Sequence, residues 1–217
     1  MTKRSEISRR TVLRGAAITG AAAATGSAGI MAALDAVAAE PQAFKNLSAS
    51  EAELLQAIVD RLIPSDANGP GAREAQVARY IDRALGDALA GSRMAYTNGL
   101  VALDRYATKS RGKPFIQLSA RDQESVLIDC ETGGATGFSG SSGQFFGMVL
   151  NHTRQGMFGD PHYGGNENFA GWDLLGYPGV RTSVTPEDQK SLEANQLKFV
   201  RKSAYDYGFK DETHHGD

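Results

Sequence analysis

The sequence predicts an all-α fold, a small helical domain with one long irregular loop that is rich in glycine and aromatic residues. Three observations support this prediction. Apolar residues recur at intervals of three and four along several segments, Ser or Thr stands immediately before three of these segments, and no segment shows a convincing two-residue alternation. With 217 residues, 41% of them hydrophobic, the chain fits one globular domain with extensions.

The first helix is predicted by a capping box followed by apolar residues. Ser48 supplies an N-cap and Glu51 stands three residues later. The apolar positions keep helical spacing until Pro64 ends the run, and they are Leu54, Leu55, Ile58, Val59 and Leu62. After a turn-rich connector, a second helix is predicted from a further set, Val77, Tyr80, Ile81, Ala84 and Leu85.

Four more helices are predicted along the rest of the chain. The third covers residues 92–108, the fourth follows the N-cap Ser119, and the fifth covers residues 144–155 after a Gly/Ser-rich connector. The third helix is predicted to place Tyr96, Leu100, Leu103 and Tyr106 inward. The apolar residues that mark the fourth are Val126, Leu127 and Ile128, and those that mark the fifth are Phe145, Phe146, Val149 and Leu150. A last helix is predicted to start at Thr185, because Pro186 and two acidic residues follow this N-cap.

Residues 156–184 form the predicted irregular loop. Thirteen of the 25 glycines lie between Gly133 and Gly179, which concentrates backbone freedom in this region. Long loops without secondary structure are either functional or disordered. Aromatic residues argue against disorder, and five occur here, namely Phe158, Tyr163, Phe169, Trp172 and Tyr177. The loop is therefore predicted to be ordered, either against its own fold or against a partner.

The first 38 residues have the pattern of an export signal. A basic head contains Arg9 and Arg10, an Ala/Gly-rich apolar stretch follows over residues 15–34, and small residues around Ala38 form an A-x-A cleavage site. The paired arginines, followed by an apolar residue and Leu, resemble the twin-arginine (Tat) signal. An uncleaved membrane anchor is the alternative, since the stretch is about long enough to span a bilayer, but its weak hydrophobicity favours a cleaved signal.

The predicted organisation is a signal over residues 1–38, a helical domain over 39–184, and a C-terminal helix and tail over 185–217. The net charge of −2 and the lack of a basic stripe exclude a nucleic-acid partner. Cys130 is the only cysteine, so it cannot form an internal disulfide, and a buried structural thiol is expected. Because the Tat pathway exports folded proteins, the chain is expected to hold a cofactor or to travel with a partner that does.

The loop contains two motifs that are specific enough to indicate a family. They are GDPHYGGN at residues 159–166 and GWDLLGYPG at residues 171–179, and they are accompanied by IPSD at 63–66, GPGA at 69–72 and the Leu-Ser-Ala helix start at 47–49. Together these motifs resemble the gluconate 2-dehydrogenase subunit 3 family. The resemblance covers about residues 44–180.

The resemblance implies a non-catalytic small subunit of a periplasmic dehydrogenase for sugars, sugar acids or polyols. In such complexes a large flavoprotein of the glucose-methanol-choline (GMC) type oxidises the substrate through FAD, often with a multihaem cytochrome c as a third subunit. The small subunit carries the signal, so the flavoprotein folds, binds FAD and passes the Tat translocase together with it. The resemblance thus implies no cofactor in this chain, and a location in the periplasm, peripheral to the inner membrane through the complex.

The residues themselves agree with a partner-binding role. No Gly-x-Gly-x-x-Gly follows a predicted strand, and no Cys-x-x-Cys-His is present, so the sequence lacks the fingerprints for a dinucleotide and for c-type haem. The residues predicted to contact the partner are Phe158, Asp160, His162, Tyr163, Asn166, Trp172 and Tyr177. For Trp172 and Tyr177, a place in the core is the alternative to an interface, and a sugar-binding platform is a third possibility.

The alternative function is that of a stand-alone periplasmic metal-dependent enzyme. His152, Asp160 and His162 are the potential ligands nearest to one another in sequence, and Asp173 or His214 would complete a site. The spacing of these residues is not the helical i, i+4 spacing that directs two ligands to one point. A structural role is therefore favoured, in which Asp160 caps the turn and His162 donates a hydrogen bond.

Overall fold

A computed structural model describes residues 43–208, which belong to one compact unit. Within this range the chain forms seven α-helices and no β-strand, so the all-α prediction is confirmed for the described part. The helices are α1 (Ala49–Leu62), α2 (Val77–Ala84), α3 (Arg93–Arg111), α4 (Ala120–Glu131), α5 (Ser142–Phe158), α6 (Ala170–Leu175) and α7 (Pro186–Glu193). The predicted export signal lies outside the described residues.

Helix starts follow the predicted caps. The Ser48 hydroxyl accepts the Glu51 N–H at 3.3 Å, and the Ser48 N–H donates to the Glu51 carboxylate at 2.9 Å, which completes the predicted capping box. Ser119 caps α4 and Thr185 caps α7 in the same way, each by accepting the N–H three residues later. Each cap satisfies a backbone donor that would otherwise be unpaired, which stabilises a helix by about 1 kcal/mol.

The core is built around α1, which packs against α2, α3, α4 and α5. Its largest fully buried side chains include Leu55, Ile58, Val59, Ile81, Tyr96, Leu100, Leu103, Phe115, Val126, Val149 and Met157. Not every apolar residue that marks a helix in the sequence lies in the core, because Ile128 is 56% exposed. Ile128 lies only two residues after the buried Val126, on the opposite side of α4, whereas Cys130 takes the i+4 position and is fully buried. Burial raises the pKa of the Cys130 thiol to about 12, as expected for a structural cysteine.

A buried carboxylate fixes the chain just before α1. Asp82 of α2 is 5% exposed and accepts the backbone N–H groups of Lys45, Asn46 and Leu47, each at 2.8 Å. A buried carboxylate is costly unless its oxygens accept hydrogen bonds, and these three donors meet that need. The segment that leads into the domain is thereby held against α2.

An ion pair joins the start of α1 to α3. Arg93 donates two hydrogen bonds to the Glu51 carboxylate, at 3.0 and 2.9 Å, and the Thr97 hydroxyl donates a third at 2.9 Å. Burial alone would raise the pKa of Glu51, but the hydrogen bonds from Arg93, Ser48 and Thr97 outweigh it and lower the pKa from 4.5 to about 2. Glu51 is therefore charged across the physiological pH range.

This ion pair predicts a loss of stability in acid. Because the pKa of Glu51 is lower in the folded state than in the unfolded state, its contribution is present above about pH 5 and is lost as the pH falls towards 2. Solvent screening limits it to about 1–2 kcal/mol. We expect Glu51→Gln, which keeps the capping geometry, to be less stable than wild type in urea unfolding at about pH 7, with a smaller difference at about pH 3. A difference that does not change with pH would contradict this assignment.

Candidate functional site

The GDPHYGGN segment begins where α5 ends, and α5 is longer than predicted. The predicted limits of 144–155 become Ser142–Phe158 in the structure. Two 3-10 turns, Pro161–Tyr163 and Glu167–Phe169, and then α6 occupy much of the segment that was predicted to be irregular. Residues 156–184 are thus more regular than their glycine content suggests.

Asn166 organises this segment from a fully buried position. Its backbone N–H donates to the Gly156 carbonyl at 2.7 Å, and its side-chain Nδ2 donates to the Gly159 carbonyl at 2.8 Å. Its Oδ1 accepts the N–H of Gly171 at 2.7 Å. One side chain therefore connects the end of α5 to the start of α6 and satisfies backbone groups that would otherwise be unpaired in the interior.

The backbone between α5 and α6 is strained. Asn166, Asn168 and Phe169 have φ values of 47°, 54° and 62°, in the left-handed region. Asn tolerates this conformation, but it is rare for a bulky residue such as Phe, and each instance costs about 1 kcal/mol or more. Surrounding contacts must maintain it, and the Phe169 ring packs against Trp172 with 5.4 Å between ring centroids.

Trp172 belongs to the core and Tyr177 to the surface. The Trp172 side chain is 6% exposed and donates its indole N–H to the Phe158 carbonyl at 2.9 Å. Tyr177 packs edge-on against the indole, with ring centroids 4.8 Å apart, yet remains 41% exposed. Of the two places that the sequence left open for Trp172, its burial favours the core.

We expect Trp172→Ala to destabilise the isolated subunit by about 3 kcal/mol, because it leaves a large cavity and an unpaired Phe158 carbonyl. For a domain of this size the melting temperature should fall by about 6–12 °C. Tyr177→Ala is the matched control and should change it far less, because Tyr177 is half exposed. A Trp172→Ala protein with wild-type stability that no longer captures a partner would instead identify Trp172 as an interface anchor.

Asp160, His162 and Tyr163 face the C-terminal part of the chain. Asp160 Oδ1 accepts the His162 backbone N–H at 2.9 Å, which confirms the predicted capping of the turn, and its Oδ2 accepts the Ala204 N–H at 2.8 Å. The His162 ring stacks on Tyr205 with centroids 3.7 Å apart, and the hydroxyls of Tyr163 and Tyr205 are 2.6 Å apart. Residues from the predicted tail therefore complete this site.

These C-terminal residues were missed from the sequence, where no role was assigned to the end of the chain. The sequence does contain a local pattern that marks these residues as structured. Ser203 and Asp206 form a Ser-x-x-Asp capping box, in which the Ser203 N–H donates to the Asp206 carboxylate at 2.8 Å. This pattern predicts a turn of 3-10 helix there, although it does not predict what the turn packs against.

The potential metal ligands are engaged in other contacts. His152 is buried on α5 with its Nδ1 3.1 Å from the Tyr96 hydroxyl, and burial lowers the pKa of His152. The Asp173 carboxylate accepts a hydrogen bond from Arg201 at 2.5 Å. Among residues 43–208 no three His, Cys, Asp or Glu side chains are grouped so that they could hold a metal ion, and His214 lies outside this range.

A groove of about 310 Å³ opens between α1, α3 and the turn at Phe115–Gln117. Its lining is mainly apolar, with Leu54, Leu100, Val101, Pro114 and Ile116, and carries carboxylates such as Glu53 and Asp104. No residue of the GDPHYGGN or GWDLLGYPG motif lines the groove, so it is separate from the site that the sequence singled out.

Exposed apolar side chains are concentrated towards the end of the described chain. Of the twelve exposed large hydrophobic residues, eight lie between residues 163 and 207, and these are Tyr163, Leu174, Leu175, Tyr177, Val184, Leu192, Phe199 and Tyr207. Apolar side chains that are exposed together are typical of protein contact sites, and this segment supplies most of the exposed apolar side chains of the described chain. Among the residues predicted to contact a partner, Asn166 and Trp172 are buried, whereas His162, Tyr163 and Tyr177 are exposed and Phe158 and Asp160 are partly buried.

The fold and the site define the class of this protein. It is a small all-α domain whose glycine- and aromatic-rich segment is internally ordered, without a group of metal ligands in its described part. The chain belongs to the gluconate 2-dehydrogenase subunit 3 family, whose model matches residues 49–179. A model of the twin-arginine translocation signal sequence matches residues 6–26, which assigns the chain to export into the periplasm by the Tat pathway.

Neither a curated protein nor a solved structure matches the chain. Across residues 43–208, no helix combines the length and the apolar character needed to cross a membrane. The family assignment makes this chain a small subunit of a multisubunit dehydrogenase.

Proposed function

We propose that this chain is the non-catalytic small subunit of a periplasmic dehydrogenase complex, and that it matures and exports the catalytic subunit. The large subunit is a GMC-type flavoprotein that oxidises a sugar, a sugar acid or a polyol through FAD. The observation that carries the proposal is the presence of a Tat signal and a match to a dehydrogenase subunit family on the same chain. A subunit that takes another protein through export needs both an export signal and a domain that binds this protein.

Binding would also help the flavoprotein to fold. A partner that binds only the native state of another protein shifts its folding equilibrium by the free energy of binding. The small subunit would thereby retain the folded, FAD-loaded flavoprotein until the Tat translocase moves both. The domain is suited to this role because a hydrophobic core between its helices holds it together. Its cysteine, Cys130, is free and buried, so the fold does not wait for a disulfide that forms after export.

The exposed apolar residues between 163 and 192 support docking in this part of the domain. A partner carried through export must stay bound, which favours a large and apolar interface. FAD belongs to the large subunit in this proposal, and haem c, where present, belongs to a cytochrome subunit. The complex would lie peripheral to the inner membrane, with no cofactor held by this chain.

Changing both Arg9 and Arg10 to Lys tests the proposal. We expect dehydrogenase activity in the periplasmic fraction to fall to near background, because the paired arginines are what the Tat receptor recognises. Arg4→Lys is the matched control, since it changes a basic residue of the same head outside the pair, and it should leave export intact. Full periplasmic activity in the double variant would overturn the carrier role.

The non-catalytic role has a separate test. The purified mature chain is mixed with sugars, sugar acids and polyols and with an artificial electron acceptor. We expect no turnover from this chain alone and turnover after the flavoprotein is added. Oxidation of substrate by the isolated chain would overturn the assignment of catalysis to the partner.

A further inference from the structure

The C-terminal residues that reach the motif form a strap, which we define as residues 197–207. The strap lies beyond the part of the chain that matches the family, which ends at residue 179. It contacts the side chains that the motif presents outward, which we call the motif face and define as Asp160, His162, Tyr163 and Asp173. In the free chain the C-terminal segment therefore contacts the motif face, although His162 and Tyr163 stay partly open to solvent.

Polar contacts and one ring stack hold the strap in place. The Ala204 N–H donates to Asp160, Tyr205 stacks on His162, and Arg201 donates to Asp173 at 2.5 Å. On the backbone, the Val200 N–H donates to the Pro178 carbonyl at 2.9 Å. These contacts are specific, because they match a donor, an aromatic ring and a cation to particular groups of the motif face.

The strap has almost no apolar anchor. The α7 helix that leads into it has no buried residue, and Phe199 within it is 54% exposed. Ser203 is its one buried residue. Segments with few buried apolar contacts open at a much lower free energy than a helical core. The strap can therefore separate from the motif face while α1 to α5 stay folded.

We propose that the strap reversibly occupies the hydrogen-bonding and aromatic groups of the motif face, and that the flavoprotein subunit binds this face only when the strap has opened. This inference rests on the proposed function, and it adds that the free subunit is held in a closed state. A segment of the flavoprotein that replaces the strap would have to offer the same groups. These are a backbone N–H for Asp160, an aromatic ring for His162 and a cation for Asp173. The apparent affinity for the partner is then the intrinsic affinity multiplied by the fraction of chains that are open.

Hydrogen exchange on the free protein measures the opening. The Ala204 and Val200 amides should exchange at least about 100-fold faster, relative to their intrinsic rates, than the core amides of α1. Tyr205→Ala removes the stack on His162 and the contact with Tyr163, so it should speed exchange of the Ala204 amide about tenfold and leave α1 unchanged. Phe199→Ala is the control, because it removes an aromatic ring of the same strap that is 54% exposed.

The affinity of the flavoprotein for the same proteins then tests displacement. If the strap must open, Tyr205→Ala tightens binding by the same factor by which it speeds exchange of the Ala204 amide, whereas Phe199→Ala changes the affinity little. Weaker binding by Tyr205→Ala would make the strap part of the docking surface and overturn the proposal. Exchange of Ala204 only together with the α1 core would also overturn it. If neither wild type nor Tyr205→Ala binds the flavoprotein, the proposed function fails, while exchange in the free protein still decides whether the strap opens by itself.

Discussion

Gly171→Ala should destabilise the domain by more than about 4 kcal/mol, a loss that few single substitutions cause. A Cβ atom at Gly171 would lie 1.8 Å from the carbonyl oxygen of Met157 and 3.0 Å from the Phe158 ring. The first of these atoms belongs to the backbone of α5 and cannot move away as a side chain would. We expect α6 to separate from α5, so that the Gly171 N–H loses its bond to Asn166 and the site unfolds.

Gly147→Ala is the matched control for this substitution. Gly147 lies within α5, and a Cβ added there would meet nothing within 4 Å. Replacing a glycine inside a helix by alanine should stabilise the protein by about 0.5–1 kcal/mol. Urea unfolding of both variants should therefore give changes of opposite sign. Wild-type stability of Gly171→Ala would mean that α6 does not pack on α5 as closely as described.

The helices were predictable because their signals are local. The Ser48 and Glu51 box, the Ser119 cap and the Thr185 cap each act within four residues, and the apolar spacing that follows needs no knowledge of the fold. The end of α5 was not predictable in the same way. Gly156 suggests a break, but it packs against the Tyr80 ring, where a larger residue would collide, and the helix continues for two more residues.

The sequence predicted which residues make up the site, but not which of them contact one another. Its glycines and aromatic residues were visible, as was the capping role of Asp160. The second hydrogen bond of Asp160 joins it to Ala204, 44 residues away, and no local pattern indicates such a contact. For the same reason the sequence grouped Asn166 with surface residues, although its partners at positions 156, 159 and 171 place it in the interior.

These contacts change what the family motif means physically. Asn166, Gly171 and Trp172 serve the folding of the segment, because each is buried and each satisfies or permits a close backbone approach. The residues open to solvent lie before and after them, on the motif face and among the exposed apolar side chains such as Leu175. The motif is therefore a rigid support that positions a surface, and substitutions in the support should act through stability and not through contact.

Asn166→Ala should destabilise the domain by about 4 kcal/mol. It tests the buried hydrogen-bond network that supports the motif without changing any exposed side chain. The substitution leaves the buried N–H of Gly171 and the carbonyl of Gly159 without their partner, and each unpaired group costs about 1–3 kcal/mol. It also places alanine at a φ of 47°, which adds about 1 kcal/mol. Because the side chain is fully buried, no direct contact with a partner is removed.

Asn168→Ala separates these two causes. Asn168 has the same left-handed conformation, with a φ of 54°, but it is exposed, so its replacement should cost only about 1 kcal/mol. The difference between the two variants in urea unfolding, about 3 kcal/mol, measures the hydrogen bonds that Asn166 makes. Equal losses would assign the whole effect to backbone strain. A stable Asn166→Ala protein would show that the end of α5 and the start of α6 stay together without this side chain, and the buried network would then not be what orders the motif.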